Sequence, residues 1–264
     1  MRRPRHVPLS MSRGITLRQV APNAITAMAL CFGLTAIRYG IMGEWQLAVA
    51  AIIFAGVLDG IDGRVARLLR ADSRFGAELD SLSDAIAFGV SPALIVYLWS
   101  LHAMPRFGWI VSLVLALSCA LRLARFNASM DATDPPRKTA GFLTGVPAPA
   151  GAGLALLPLY AWFITDLDIF RDWRLVAPWI LASAFLMISA VPTLSWKRMR
   201  VPPAWRIFAI LFAGIFAASL MVAPWHALLT LSLAYLALIP VGIVAYARFK
   251  RRLVASTAAA PVGD

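Results

Sequence analysis

Residues 58–89 read LDGIDGRVARLLRADSRFGAELDSLSDAIAFG, and they hold four carboxylates, Asp59, Asp62, Asp80 and Asp84, against the ends of two apolar runs. Charge beside hydrocarbon is costly, so ionisable residues kept there point to a functional site. Asp59 and Asp62 are spaced i,i+3, and Asp80 and Asp84 i,i+4. On a helix such neighbours share a face, so each pair projects its acids together. Four converging anions repel one another unless something positive lies between them. Oxygen-seeking divalent cations, Mg²⁺ or Mn²⁺, suit that place, and Mg²⁺ completes its shell with water and substrate phosphate. The plainer alternative, interfacial acids paired with local arginines, suits one or two carboxylates better than four in two helically phased pairs.

The surroundings extend this reading. Gly60 and Gly63 flank Asp62 and allow close approach of a helix or ligand. Arg67 follows one turn beyond Gly63, Ser73 sits in the turn, and Gly76 precedes Asp80. The planar fork of arginine suits phosphate oxygens. Cations and arginine at a membrane surface describe a site for a phosphorylated, lipid-linked substrate.

The rest of the chain supplies the membrane. Of 264 residues, 60% are hydrophobic and only 14% charged, against roughly 45–50% and about 25% in soluble domains. Crossing the core takes about 20 apolar residues. Runs near 22–40, 44–61, 82–101, 107–124, 147–165, 174–194, 205–223 and 226–247 predict an all-α bundle of eight transmembrane helices. Under that assignment 21 of the 25 Lys and Arg residues fall on one side and 4 on the other. The positive-inside rule then places both termini and the acidic stretch in the cytoplasm. The basic start, MRRPRHVPLSMSRGITLRQV, reads as a cytoplasmic tail, with a cleaved signal peptide as the alternative. The formal charge of +12 is distributed as a topology signal, which argues against nucleic acid as a partner. Cys31 and Cys119 lie inside apolar runs and form no disulfide or zinc pattern. The stretch TDLDIFRDWR (165–174) reads as an outer loop.

Asp59-x-x-Asp62-Gly63-x-x-Ala66-Arg67, eight further residues, then Gly76-x-x-x-Asp80-x-x-x-Asp84 resembles the signature of the CDP-alcohol phosphatidyltransferase family at every fixed position. The resemblance implies a six-helix core, placed here at residues 21–194 after a basic tail at 1–20. Two additional helices (195–247) and a cytoplasmic tail (248–264) follow. It implies that Asp59, Asp62 and Asp80 ligand a binuclear Mg²⁺ or Mn²⁺ centre, and that Asp84 helps hold the second metal and acts as general base. It assigns Pro22, Asn23, Ala24 and Ile25, with Gly63, Arg67 and Ser73, to the CDP-lipid. It further implies a homodimer and, for a compact chain with basic loops, a bacterial inner membrane.

The signature fixes the donor and not the acceptor alcohol. Arg122, Arg125 and Asn127 in LRLARFNASM, together with the Gly/Pro-rich GFLTGVPAPAGAG (141–153), resemble the membrane-embedded phosphatidylserine synthases of the family. The resemblance implies CDP-diacylglycerol and L-serine as substrates, with these three residues at the acceptor. Topology and head-group contact are the alternative role for the two arginines. Choline, glycerol 3-phosphate and inositol phosphate are the other acceptors of this chemistry. From a different class, a cation transporter would account for the four acids, though not for Arg67 or the glycine spacing.

Overall fold

The computed structural model describes residues 17–71, 73–130, 142–189, 192–194 and 206–258. The basic residues Arg2, Arg3, Arg5, Arg13, Arg137, Lys138, Lys197, Arg198 and Arg200 of the topology reading lie outside them, as does the end of the chain from residue 259. Each predicted apolar run overlaps a helix, and two of them, 82–101 and 147–165, overlap two helices each. The helices are α1 (Leu17–Ile41), α2 (Trp45–Leu69), α3 (Arg74–Asp84) and α4 (Ser91–Trp99), then α5 (Gly108–Met130), α6 (Ala148–Ala155), α7 (Leu157–Thr165), α8 (Trp173–Ile188), α9 (Arg206–Val222) and α10 (Pro224–Ala258).

The protein is an integral membrane helical bundle. Five helical segments are long and apolar enough to cross a bilayer, or six if α6 and α7, bent by 41° at Leu156, are one broken span. Helix α8 has 16 residues and α9 has 17; at 1.5 Å per residue both fall short of a hydrocarbon core about 30 Å thick. Length and apolarity thus account for five or six of the eight predicted spans among the described residues.

Three boundaries also depart from the sequence reading. Helix α2 continues beyond residue 61 to Leu69, so Asp59, Asp62, Gly63 and Arg67 share one rigid element. Helix α8 ends at Ile188 and gives way to a short strand, β2 (Pro192–Leu194), antiparallel to β1 (Phe142–Thr144), so the fold is not purely helical. Helix α10 runs on through the basic RFKRR segment to Ala258, where a tail was expected from 248, because nothing in RFKRRLVASTA breaks a helix.

Small residues let the helices approach closely, as membrane packing requires. Helices α1 and α2 form the most extensive pair, with Ala36, Ala48, Ala51 and Ala55 buried in the core. Gly33 lies so near Ala87 that a Cβ would stand 3.0 Å from its Cα. Large apolar side chains such as Phe54, Leu117, Phe185 and Met221 are exposed, the surface a lipid environment calls for.

Between α3 and α4 the helix does not stop; it widens into a π-helical stretch, Ala85–Val90, directly after Asp84. The Ser91 N–H bonds the Ile86 carbonyl five residues back, and the Ser91 hydroxyl donates to the Gly33 carbonyl at 2.8 Å, tying the widened turn to α1. Beyond α4, the Ser100 hydroxyl donates to Arg171 O at 2.7 Å, and Arg171 Nε donates to Trp99 O at 2.9 Å. These bonds join the 100–107 and 165–173 connections at the end of the bundle remote from the acids, about 22 Å along the helix from Asp84.

Candidate active site

The acids are brought together by α2 and α3, which meet at a tight turn. Arg70 takes a left-handed conformation (φ 49°) and ends α2, with Ala71 N–H bonding Ala66 O at 2.9 Å, the six-to-one bond of a Schellman ending. The Ser73 hydroxyl then caps α3 by accepting from Gly76 N–H at 3.0 Å. Asp59 and Asp62 thus lie two to three turns before the end of α2, and Asp80 and Asp84 in the last two turns of α3, side by side. One carboxylate oxygen each from Asp59, Asp62 and Asp80 lies within 4.8 Å of the others. Asp84 is placed next to them, and the Asp59 carboxyl meets those of both Asp80 and Asp84.

Helix α1 supplies a residue the sequence reading missed. The Thr26 hydroxyl lies 2.6 Å from Asp62 Oδ2, and both residues are 4% exposed. A donor at that point fixes the carboxylate's orientation. The only signal in the sequence is a hydroxyl one turn beyond Pro22 in a mostly apolar run. Helix α1 is held to α3 by a second bond, from Ser83 Oγ to Thr26 O at 3.3 Å.

A cavity of about 330 Å³ opens beside the acids between α1, α2 and α3. Its polar lining is Asn23, Thr26, Asp62, Ser73 and Asp80, and its floor is small: Gly63, Ala66, Ala71, Gly76 and Ala77. A Cβ at Gly76 would stand 2.9 Å from Asn23 Oδ1 and 3.1 Å from Ser73 Oγ, so a side chain there would displace both cavity-lining groups. Gly63 is different, because a Cβ there meets nothing within 4 Å and would project into free space.

The sequence-predicted residues divide accordingly. Pro22, Asn23, Gly63 and Ser73 line the cavity; Ala24 and Ile25 are not among its lining residues. Arg67 lies on the exposed surface, its Nε donating to Gly63 O at 2.9 Å, one turn above the floor.

The acceptor candidates also separate. Arg122 is half-buried within electrostatic reach of Asp84 and Tyr235, and its buried Nε has no hydrogen-bond partner among the described residues. Such a group is a ready donor for an incoming anion. Arg125 instead spends its fork on the end of α8, donating to Ile188 O at 2.8 Å and Ser189 O at 3.4 Å. Asn127 donates to Ser81 Oγ at 2.9 Å and links α5 to α3.

Residues 19–196 match the family described as CDP-alcohol phosphatidyltransferase. The chain belongs to that family. Residues 204–240 match a second description, CDP-alcohol phosphatidyltransferase 2. Among curated proteins, the chain is similar to the CDP-diacylglycerol–serine O-phosphatidyltransferase of Mycobacterium leprae, at 38% identity over 88% of this chain and 77% of that protein. It is similar to the protein of the same name from Mycobacterium tuberculosis, at 38% over 88% and 80%, and from Helicobacter pylori, at 33% over 78% and 84%.

All four acids lie within the matched residues 19–196, and their chemistry can be tested against a metal. Three carboxylates converging from two helices are a hard-oxygen donor set, open on the cavity side for further ligands. That set fits a divalent cation of the Mg²⁺ type.

Proposed function

We propose that the protein transfers a phosphatidyl group from CDP-diacylglycerol to L-serine, giving phosphatidylserine and CMP. The observation that carries the reading is the convergence of Asp59, Asp62 and Asp80 beside a small-floored cavity. The serine acceptor is supported by relatives of that activity aligned over most of the chain.

Asp59, Asp62 and Asp80 would hold a binuclear Mg²⁺ or Mn²⁺ centre, with Asp84 on the second ion. When bound, such a pair clamps the donor's diphosphate and stabilises charge in an in-line displacement. Thr26 keeps Asp62 pointed at the site. Pro22, Asn23, Gly63 and Ser73 form the cradle for the cytidine part, with Arg67 at its rim. Ala24 and Ile25 act only as the helical link between the cradle residues and Thr26. Asp84 accepts the proton of the serine hydroxyl. The hydroxyl oxygen forms a bond to the lipid-side phosphorus while the bond from that phosphorus to the CMP oxygen breaks, and CMP leaves with the bonding electrons. Arg122, whose buried Nε is unpartnered next to Asp84, takes the serine carboxylate. Arg125 and Asn127 shape that pocket through α8 and Ser81.

We further read eight crossings, with the core at 21–194, two added helices after it, both termini and the acids on the cytoplasmic side of a bacterial inner membrane, and a homodimer. The even count is supported by the connections at 100–107 and 165–173 meeting at the end remote from the acids. Reporter fusions after Ala258 and at Leu167 check the two sides, and mass measurement in detergent checks the dimer.

The test of function is CMP release by purified protein from CDP-diacylglycerol with Mn²⁺ or Mg²⁺. Serine, choline, glycerol 3-phosphate and inositol phosphate are offered separately. Release with serine alone, lost in Asp84→Asn, is the expected result. Release only with another alcohol keeps the acidic site and overturns the acceptor, and no release with any of them overturns the transferase reading.

A further inference from the structure

The turn between α2 and α3 carries charge that the site does not use. Arg64, Arg67, Arg70 and Arg74 are all exposed there, against only Asp72 and Glu78 within residues 64–78. Arg67 folds its Nε back onto Gly63 O. The guanidinium groups of Arg64, Arg70 and Arg74 have no hydrogen bond or ion pair among the described residues. Interleaved with these cations, Leu68 is 84% exposed and Phe75 67%. Arg70 is also held at φ 49° where α2 ends, a left-handed position that glycine fills without penalty. A long cation kept where glycine fits best, and unpaired within the described chain, points to a partner outside it.

The depth of the turn indicates which partner. Helix α2 has 25 residues, about 38 Å of helix against a hydrocarbon core of about 30 Å. Residues 45–58 carry no charge, so the surplus of about five residues falls at the arginine end. Arg64 and Arg70 then stand among lipid head groups, with Leu68 and Phe75 at the boundary with the acyl chains. Topology alone calls for positive charge on one side. It calls neither for the exposed Leu68 and Phe75 nor for a cation at a left-handed position.

We infer that the α2–α3 turn is a docking surface for anionic phospholipid of the surrounding bilayer. Lipid phosphates pair with Arg64, Arg70 and Arg74, while Leu68 and Phe75 enter the acyl boundary. Charge complementarity decides the occupant, since each cation near an anionic leaflet strengthens binding roughly fivefold. One consequence rests on the proposed function. Ala71 and Ser73, which alternate with Arg70 and Arg74 along the turn, line the cavity beside the acids. A turn held by lipid therefore also holds the donor's cradle, and donor capture rises with negative surface charge.

The test is amide hydrogen exchange across residues 64–76 in the full chain, reconstituted without substrate into nanodiscs. One set is phosphatidylcholine alone, and the other has one third phosphatidylglycerol. Phosphatidylglycerol is expected to slow exchange in this segment roughly fivefold or more. Arg70→Gly with Arg74→Gln removes two cations and keeps the left-handed position, and should lose most of that protection. Arg70→Gly alone should lose part of it without lowering the melting temperature, a combination that a structural role for the arginine would not give. Inorganic phosphate added to the phosphatidylcholine nanodiscs should protect nothing. Equal exchange in both lipids, protection that survives in the double variant, or protection by inorganic phosphate each overturns the inference. The KM for CDP-dioleoylglycerol should fall with phosphatidylglycerol in the unaltered protein and change less in the double variant; an unchanged KM beside intact protection overturns the link to donor capture. Absence of CMP release with every acceptor overturns the transferase reading alone, because the exchange measurement needs no turnover.

Discussion

Replacing Thr26 with valine keeps the shape of the side chain and removes only the hydroxyl 2.6 Å from Asp62 Oδ2. Both residues are 4% exposed, so water cannot replace the lost donor at low cost. Without that hydroxyl the buried anion loses the donor that α1 supplies. A hydrogen bond to a charged group contributes about 1.5–3 kcal/mol. Some of that loss falls equally on the metal-free protein, so the lower end applies to binding, about 1.5 kcal/mol or roughly tenfold in metal affinity. The assay is thermal stabilisation of the purified protein by CDP across a Mn²⁺ titration. The Mn²⁺ midpoint should rise roughly tenfold in Thr26→Val and stay near the original in Thr26→Ser, which retains the donor. An unchanged midpoint in Thr26→Val would show that Asp62 is oriented without Thr26. An equal defect in Thr26→Ser would assign the effect to packing of the methyl group.

Asp84→Asn should lower turnover roughly 10²-fold or more, the scale of a lost general base, while CDP-dependent stabilisation persists; near-full turnover removes Asp84 from that role. Gly63→Val fills the space that the open Cβ position offers in the cradle and should abolish CDP-dependent stabilisation. Gly60→Ala, equally open but outside the cradle, should keep CDP-dependent stabilisation and raise helix stability by up to about 1 kcal/mol, read as a higher melting temperature. Ser73→Ala should cost about 1 kcal/mol from the lost cap of α3, and a rise in KM for the lipid donor beyond that destabilisation marks direct contact with CDP. Arg125→Ala releases the end of α8 and should lower the melting temperature, with parallel changes in KM for serine and for donor; a selective rise for serine would return Arg125 to the acceptor.

What the sequence carried plainly were the features with a strict period or spacing. The eight apolar runs all overlap helices, two of them divided between two, and the i,i+3 and i,i+4 pairs of acids became a cluster because α2 and α3 are regular helices joined by a short capped turn. What it did not carry were partners set by tertiary packing. Thr26 has no local mark, since its significance lies in a residue 36 positions away. Arg122 and Arg125 look alike in LRLARF, yet three residues of helix separate a guanidinium facing Asp84 from one bonded to the end of α8. The strand pair 142–144 and 192–194 was equally silent, because each is only three residues long and pairs across the fold. The break at Leu156 is preceded by apolar sequence and followed by Pro158, whose fixed φ and missing N–H suit a new helix start better than a continuous span.

The π-helical stretch after Asp84 works as a phase adjuster between two halves of one span. An ordinary helix advances about 100° per residue, so the extra residue accommodated between Ala85 and Val90 lets the half before it present Asp80 and Asp84 toward α2 while Gly89, within the stretch, packs against Cys119 of α5. Shortening that stretch by one residue would restore a regular helix and rotate the acids away from Asp59 by about a quarter turn or more. The length of Ala85–Val90 therefore matters to the site as much as its residues do, and a lost residue there would silence the site from inside the membrane without touching a single carboxylate.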